Sequence, residues 1–303
     1  MYLLDNVLII MAGGGMMHDG FVASGYTVCQ PYKDYNIYMR ILRELNQLLH
    51  ILKKDFFYDK KILKYHPKHI LIYDPLITLD YLRWLKKIFP ETSIHFLYRN
   101  MVGKAHHLKP EELPSWIDVW TYDGYDSRKY HIKQYDGFYF PVFCKPARKV
   151  KDIDVLFIGR DKGRAVFLLD LEKKLKMMGL KTKFIITKST RCSFPKPFYQ
   201  KMIPYNEICN LISRSKSILN VTMEFQEGLS IRDFEALFNA TKLITTNKAI
   251  NKTPFYCKNN IFILTQNNLN DIAHFLQTDI VHVEDSLLNK YTIESFIFQI
   301  IGR

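Results

Sequence analysis

Two carboxylates, a glycine turn and a group of cations have the residue types and spacing to do chemistry in this chain. In "MEFQEGLSIRDFEALFNATKLITTN", residues 223–247, Glu227 and Glu235 stand with seven residues between them, and Gly228, Leu229 and Ser230 follow the first directly. Ser230 with Asp233 three positions later has the pattern of a capping box, so a helix is expected from about residue 230 to 239. The N–H groups of its first turn, with Gly228 ahead of them to admit a ligand to the main chain, make a phosphate or hydroxyl site. At about 100° per residue Ile231, Phe234 and Phe238 share one face and Glu235 lies at its edge. A carboxylate placed there needs a hydrogen-bonding partner. The vicinal hydroxyls of a ribose would suit it. So would a nearby Lys or Arg, in which case Glu227 is merely exposed.

A second element is "VLFIGRDKGRAVFLLDLEKKL", residues 155–175. Gly159, Arg160, Asp161, Lys162, Gly163 and Arg164 form a turn between a strand and a helix. The glycine spacing is wrong for a P-loop and no Lys-Ser/Thr follows. Three cations with two glycines at such a turn still suit a diphosphate, which needs positive charge and close main-chain approach. The alternative is a solvated basic turn.

Strand-like and helix-like stretches alternate around these elements. "NVLIIM" (6–11), "HILIYD" (69–74), "SIHFLYR" (93–99), "DVWTYD" (118–123) and "GFYFPVF" (137–143) read as strands, with helices over 36–54 and 78–89. "CKPARKVKDID" (144–154) has charge, a proline and no apolar period, and is the expected linker. A new series then runs through "DVLFIG" (154–159), "KTKFIIT" (181–187), "SILNVT" (217–222), "KLITTN" (242–247) and "IFIL" (261–264), again with helices between. This is the rhythm of α/β units with open parallel sheets. Two domains are expected, 1–146 and 147–303, Rossmann-like and facing across a cleft, with the last helix free to pack back on the first. Ligands of such sheets bind beyond the carboxyl ends of the strands.

Composition narrows the classes further. The 303 residues are 48% hydrophobic and 14% aromatic, enough for a sizeable core. Five scattered cysteines without Cys-x-x-Cys or zinc spacing read as reduced thiols of a cytoplasmic protein. The first residues lack a charged leader and no segment is long and apolar enough to span a bilayer. A formal charge of +13, with a basic surplus in both halves, asks for an anionic partner: a polyanion, an anionic lipid surface or a phosphorylated small molecule.

"EGLSIRDFEAL" resembles the motif of retaining nucleotide-sugar glycosyltransferases with the GT-B fold. More narrowly, "QEGLSIRDFEALFNATKLITTN" together with "VWTYDGYDSRKY" (119–130) looks like transferases of bacterial lipopolysaccharide, O-antigen or capsule synthesis. The resemblance implies that Glu227 touches the donor sugar, that the Gly228–Ser230 loop meets the sugar or diphosphate, and that Glu235 binds the ribose. The narrower pattern stresses Gln226 and Arg232 instead of Glu227. The GT-B resemblance also implies that an Arg and a Lys of this turn neutralise the leaving diphosphate, Arg160 first and Lys162 or Arg164 second, and that an N-terminal-domain histidine, His18, His106 or His107, contacts the donor sugar. Expected partners are a nucleoside diphosphate sugar and a lipid-linked saccharide. No cofactor is expected, and no metal, since no Asp-x-Asp stands at a suitable loop.

The N-terminal half adds weaker candidates. "MAGGGMMHDG" (11–20) misses the dinucleotide fingerprint because His18 stands at its third glycine position; Gly14 and Gly15 are a glycine turn that could face the donor phosphate or the acceptor, or a tight turn only. Asn100 and Asp74 end strands, and Asp123 and Asp126 match the narrower pattern without a role. "ILKKDFFYDKKILKYHPKHI" (51–70) interleaves six lysines with aromatics, either a solvated surface or a patch for the inner face of a membrane. Rival readings are an inverting or polyol-phosphate transferase on the same fold, a non-catalytic partner subunit, and a nucleic-acid-binding protein. The last lacks any helix-turn-helix, zinc or RNA-binding signature.

Overall fold

The computed structural model of the protein describes residues 2–33, 37–49, 52–103, 108–146, 148, 150–189 and 197–302. It divides into two compact units, residues 1–135 with 297–303, and residues 136–296. Both are built on wholly parallel sheets, the architecture that the resemblance implies.

The first unit runs α1 Tyr2–Asn6, β1 Val7–Ile10, α2 Met16–Ala23, β2 Thr27–Cys29, α3 Ile37–Leu49, then two 3-10 turns at Lys54–Phe57 and Lys60–Lys64. It continues with β3 His69–Tyr73, α4 Leu79–Ile88, β4 Ser93–Tyr98, β5 Ile117–Thr121, α5 Gly124–Tyr130 and β6 Lys133–Gln134. The sheet order is β2-β1-β3-β4-β5-β6. β1, β3 and β4 are almost unbroken apolar runs because both faces of a parallel sheet are covered. Leu8, Ile10, Ile70, Ile72, Ile94 and Phe96 form one core with Tyr81, Leu82 and Leu85 of α4. Thr78 starts α4 by accepting the Tyr81 N–H, and Asp123 starts α5 by accepting those of Tyr125 and Asp126.

The second unit contains β7 Ile153–Arg160, α6 Ala165–Met177, β8 Thr182–Thr187, α7 Tyr205–Ser213, β9 Ser215–Asn220, α8 Ile231–Phe238, β10 Lys242–Thr245 and β11 Ile261–Ile263. Three helices follow: α9 Ile272–Gln277, α10 Asp285–Leu288 and α11 Ile293–Ile301, whose last turns group with the first unit. The order is β11-β10-β9-β7-β8. Alternate residues of β7 feed two cores: Leu156 and Ile158 meet α7 and α8 through Ile212 and Phe234, while Val155 and Phe157 meet α6 and α9 through Leu168 and Phe275. Among the described residues no helix is long and apolar enough to cross a membrane.

The boundary falls before the expected linker, because the aromatic segment ahead of it belongs to the second unit. Phe138 stacks on Phe296 with ring centres 4.1 Å apart, and the Tyr139 N–H donates to the Tyr291 carbonyl at 2.8 Å. "GFYFPVF" is therefore no strand of a sheet; it makes one bridge at Tyr139 and a 3-10 turn at Pro141–Phe143. Proline cannot donate to a ladder. β2 and β6, three and two residues long, carry too little pattern to be read from sequence.

Candidate functional site

In the second unit the chain leaves β7 toward β8 on one side and returns to β9 on the other. β7 and β9 are thus the neighbours at which a doubly wound sheet reverses, where a crevice opens beyond the carboxyl ends. The turn 161–164 follows one strand and the loop 221–230 the other. Both sequence elements singled out as phosphate sites meet at this rim.

The turn after β7 is tightly made. Asp161 is buried, its Oδ1 accepting the Ala165 N–H at 2.6 Å and its Oδ2 the Tyr199 hydroxyl at 2.7 Å. Lys162 and Gly163 have φ of +49° and +85°, the left-handed region, which reverses the chain. Arg160 and Lys162 are exposed. Arg164, expected as a phosphate ligand, is instead half-buried and donates to main-chain carbonyls: Asp161 at 3.2 Å, Arg160 at 2.9 Å and Val221. It ties the end of β7 to the end of β9. Burial lowers its pKa, against the opposing pull of Asp161. Gly159 lies within β7, in register with Ile186, and not in the turn; a Cβ there would meet the Phe157 ring at 3.3 Å.

The loop after β9 is held from its own atoms and from β10. Gln226 spends its side chain inside the loop, donating to the Gly228 carbonyl at 3.2 Å and accepting the Met223 N–H at 3.4 Å. Thr222 and Thr246 face each other across 3.1 Å, and Asn247 donates to the Glu227 carbonyl at 3.2 Å. Glu224 and Phe225 are exposed at the tip, Phe225 with φ +63°, while Glu227, Leu229 and Ser230 are half-buried and Gly228 is buried. Ser230 caps α8 as expected: its Oγ accepts the Arg232 N–H at 3.2 Å and its N–H donates to Asp233 at 2.6 Å. Asp233 also accepts from Asn220 at 2.8 Å; burial pushes its pKa up to about 6, against those hydrogen bonds.

Glu235 takes the second of the two partners expected for it, a nearby arginine. Its side chain has 0% exposure, its Oε2 pairs with the Arg232 guanidinium one turn earlier, and its Oε1 accepts the Tyr205 hydroxyl at 2.8 Å. Arg232 also donates to the Ile158 carbonyl at 3.1 Å, and Tyr205 meets Tyr139 at 3.0 Å. Burial alone would lower the arginine's pKa, but the Glu235 carboxylate together with Tyr205 and Tyr139 outweighs it and the pKa is raised. The expected ribose ligand and its neighbour Arg232 are thus an internal pair that fixes the first turns of α8 against β7. The nearby arginine that the sequence offered as the alternative to a ribose is the partner present.

In the first unit Gly14 and Gly15 follow β1, Asp74 follows β3, Asn100 follows β4 and Asp123 follows β5, all on the carboxyl rim of that sheet. Gly13 and Gly15 have positive φ, and nothing lies within 4 Å of a Cβ at 13, 14 or 15. His18 is half-buried in the first turn of α2, 3.1 Å from Asp19. Asp74 accepts the Arg99 N–H at 2.8 Å, and Asp126 the Val102 N–H at 2.7 Å, so these acids shape loops. His106 and His107 lie outside the described residues.

Sequence reasoning missed Tyr199, Thr222, Thr246 and Asn247, which hold the two loops. "ITTN", running from the last residues of β10 into the following turn, was the available signal, since adjacent parallel strands end on one rim. A cavity of ≈ 230 Å³ between α8 and the segment 280–288 lies at the amino ends of β10 and β11, beside Leu243 and Ile261, away from this rim.

No family profile matches the chain, and no curated protein does either. Solved structures align with nearly its whole length at low identity. HepE of Anabaena, solved in complex with UDP and glucose, is 9% identical with a TM-score of 0.46, covering 97% of this chain and 95% of its own. A candidate UDP-N-acetylglucosamine 2-epimerase of Listeria monocytogenes is 7% identical with a TM-score of 0.45, covering 94% of each chain. MurG of Acinetobacter baumannii is 11% identical with a TM-score of 0.40, covering 98% of this chain and 99% of its own.

Proposed function

We propose that the protein is a transferase moving a sugar from a nucleoside diphosphate donor to a saccharide acceptor. The observation that carries the reading is the meeting of the basic turn 160–164 and the glycine loop 226–230 at one switch point, beyond the ends of β7 and β9. A diphosphate there finds cations and main-chain donors together. The resemblance of residues 224–247 to nucleotide-sugar transferases supports the step from phosphate site to sugar transfer.

In this reading the bond between the sugar C1 and the diphosphate oxygen breaks, a bond from C1 to an acceptor hydroxyl oxygen forms, and the hydroxyl proton leaves to the diphosphate or solvent. Arg160 and Lys162, both exposed, offset the charge growing on the leaving group without a metal. The Gly228–Ser230 main chain and Glu227 face the donor sugar. Arg164, Gln226, Arg232 and Glu235 position these groups through the contacts above. A lipid-linked acceptor and retention of the anomeric configuration follow from the resemblance, and a cytoplasmic site of action from the scattered cysteines, as parts of the same proposal.

Calorimetric titration with UDP, GDP, ADP, TDP and CMP, with and without magnesium, tests it. Binding of one diphosphate without magnesium, weakened about tenfold or more in Arg160→Ala or Lys162→Ala, is the expected result. Absence of binding by every nucleotide would remove the transferase reading, and anomer analysis of the product would decide between retention and inversion.

A further inference from the structure

We infer that α3 is a docking face for an anionic lipid bilayer. At about 100° per residue, Tyr38, Ile41, Leu42, Leu45 and Leu49 fall within an arc of about 100° along this helix. All five are exposed, Tyr38 by 75% and Leu49 by 61%. A helix on a globular unit normally turns such a stripe inward. Here polar side chains hold it instead: Asn46 is buried and exchanges hydrogen bonds with both main-chain groups of Leu52, at 3.0 and 2.7 Å, and Arg43 lies over the Tyr32 ring at 4.4 Å. Tyr32 is itself fixed to the Leu76 carbonyl at 2.8 Å. The helix is anchored by its polar side and offers its apolar side outward.

The chain after α3 adds exposed groups of the complementary kinds. Phe56 and Leu63 are exposed on the two 3-10 turns, among exposed Lys53, Lys54, Lys60, Lys61 and Lys64. Lys54 pairs with Asp80 at 2.6 Å and Lys60 approaches Asp55 at 3.8 Å, leaving a basic surplus from Lys53, Lys61 and Lys64. Apolar side chains for the acyl boundary beside lysines for headgroups are what an interfacial helix requires. Charge decides the occupant. A second copy would bring the same lysines together in a chain already at +13, whereas an anionic surface complements them. The inference concerns the first unit and stands apart from the proposed reaction.

Flotation of the full chain with vesicles of phosphatidylcholine alone, and of phosphatidylcholine and phosphatidylglycerol in equal amounts, tests it. The protein should float with the mixed vesicles and bind the neutral ones about tenfold or more weakly, with binding falling as salt rises. The double variant Leu42→Ser/Leu45→Ser, at exposed positions, should keep the denaturation midpoint and lose about tenfold or more in binding. Lys53→Glu/Lys61→Glu should abolish the preference for the anionic vesicles. Failure of the wild type to float with the mixed vesicles, or equal flotation of the leucine variant, would overturn the inference. So would a dimer of the wild type that the leucine variant dissociates without any vesicle binding, which would make the face a contact between copies.

Discussion

Arg232 and Glu235, one turn apart on α8, form a buried ion pair whose outer contacts reach the Ile158 carbonyl on β7 and the Tyr205 hydroxyl on α7. One pair therefore joins α8 to a strand and to a neighbouring helix. Removing one partner leaves the other charged and buried. Glu235→Ala should cost about 3–5 kcal/mol in urea unfolding. Lost nucleotide binding with unchanged stability would instead restore the ribose contact.

Arg164 and Arg160 share a turn and differ in duty. Arg164→Ala takes the guanidinium donor from the Val221 and Arg160 carbonyls, while the Asp161 carbonyl keeps the residue-164 N–H at 2.9 Å, and should cost about 2–3 kcal/mol. Arg160→Ala, at an exposed position, should stay within about 0.5 kcal/mol of wild type while weakening diphosphate binding. Paired denaturation and calorimetry on the two variants check both halves of the statement.

Two glycines give a contrast of the same kind. A Cβ at Gly137 would stand 2.5 Å from the Phe234 ring, so Gly137→Ala should cost about 1–3 kcal/mol. Gly14 has ordinary φ and nothing within 4 Å, so Gly14→Ala should leave thermal stability unchanged. Any loss of activity in that variant would then report a ligand close to the main chain.

Two buried groups give stability opposite pH slopes. Burial, against the pull of Asp118, lowers the His95 pKa to about 4, so its contribution is present above the unfolded value of 6.5 and lost as pH falls through 4. Asp233, raised from 3.8 to about 6, contributes stability that is present below 3.8 and lost as pH rises through 6. Relative to His95→Gln, the wild type should lose about 3 kcal/mol between pH 7 and pH 4; relative to Asp233→Asn it should gain about 2 kcal/mol over the same fall. Urea midpoints across that range measure both.

Much of this architecture was legible in the chain. Apolar runs such as "HILIY" and "VLFIG" are buried on both sheet faces, and Ser230 with Asp233 marked the start of α8 to the residue. The rim of the candidate site was legible too, because parallel strands joined by helices put their following loops on one side. The duties of the charged residues were not. Arg164 and Arg160 look alike in "GRDKGR", and only the nearness of β9 turns one of them toward the Val221 carbonyl.

The same division holds across the molecule. Backbone periodicity and short-range hydrogen bonds act within a few residues, so composition and spacing alone suffice for two parallel α/β units, the helix cap and the basic turn. Partners far apart in the chain depend on packing that no local pattern encodes. Glu235 meets Tyr205 across thirty residues, and Phe138 joins the second unit by stacking on Phe296. The pattern of α3 shows that the helix has an apolar side, but the direction in which that side faces is set by Asn46 and Arg43 anchoring the other one to Leu52 and Tyr32.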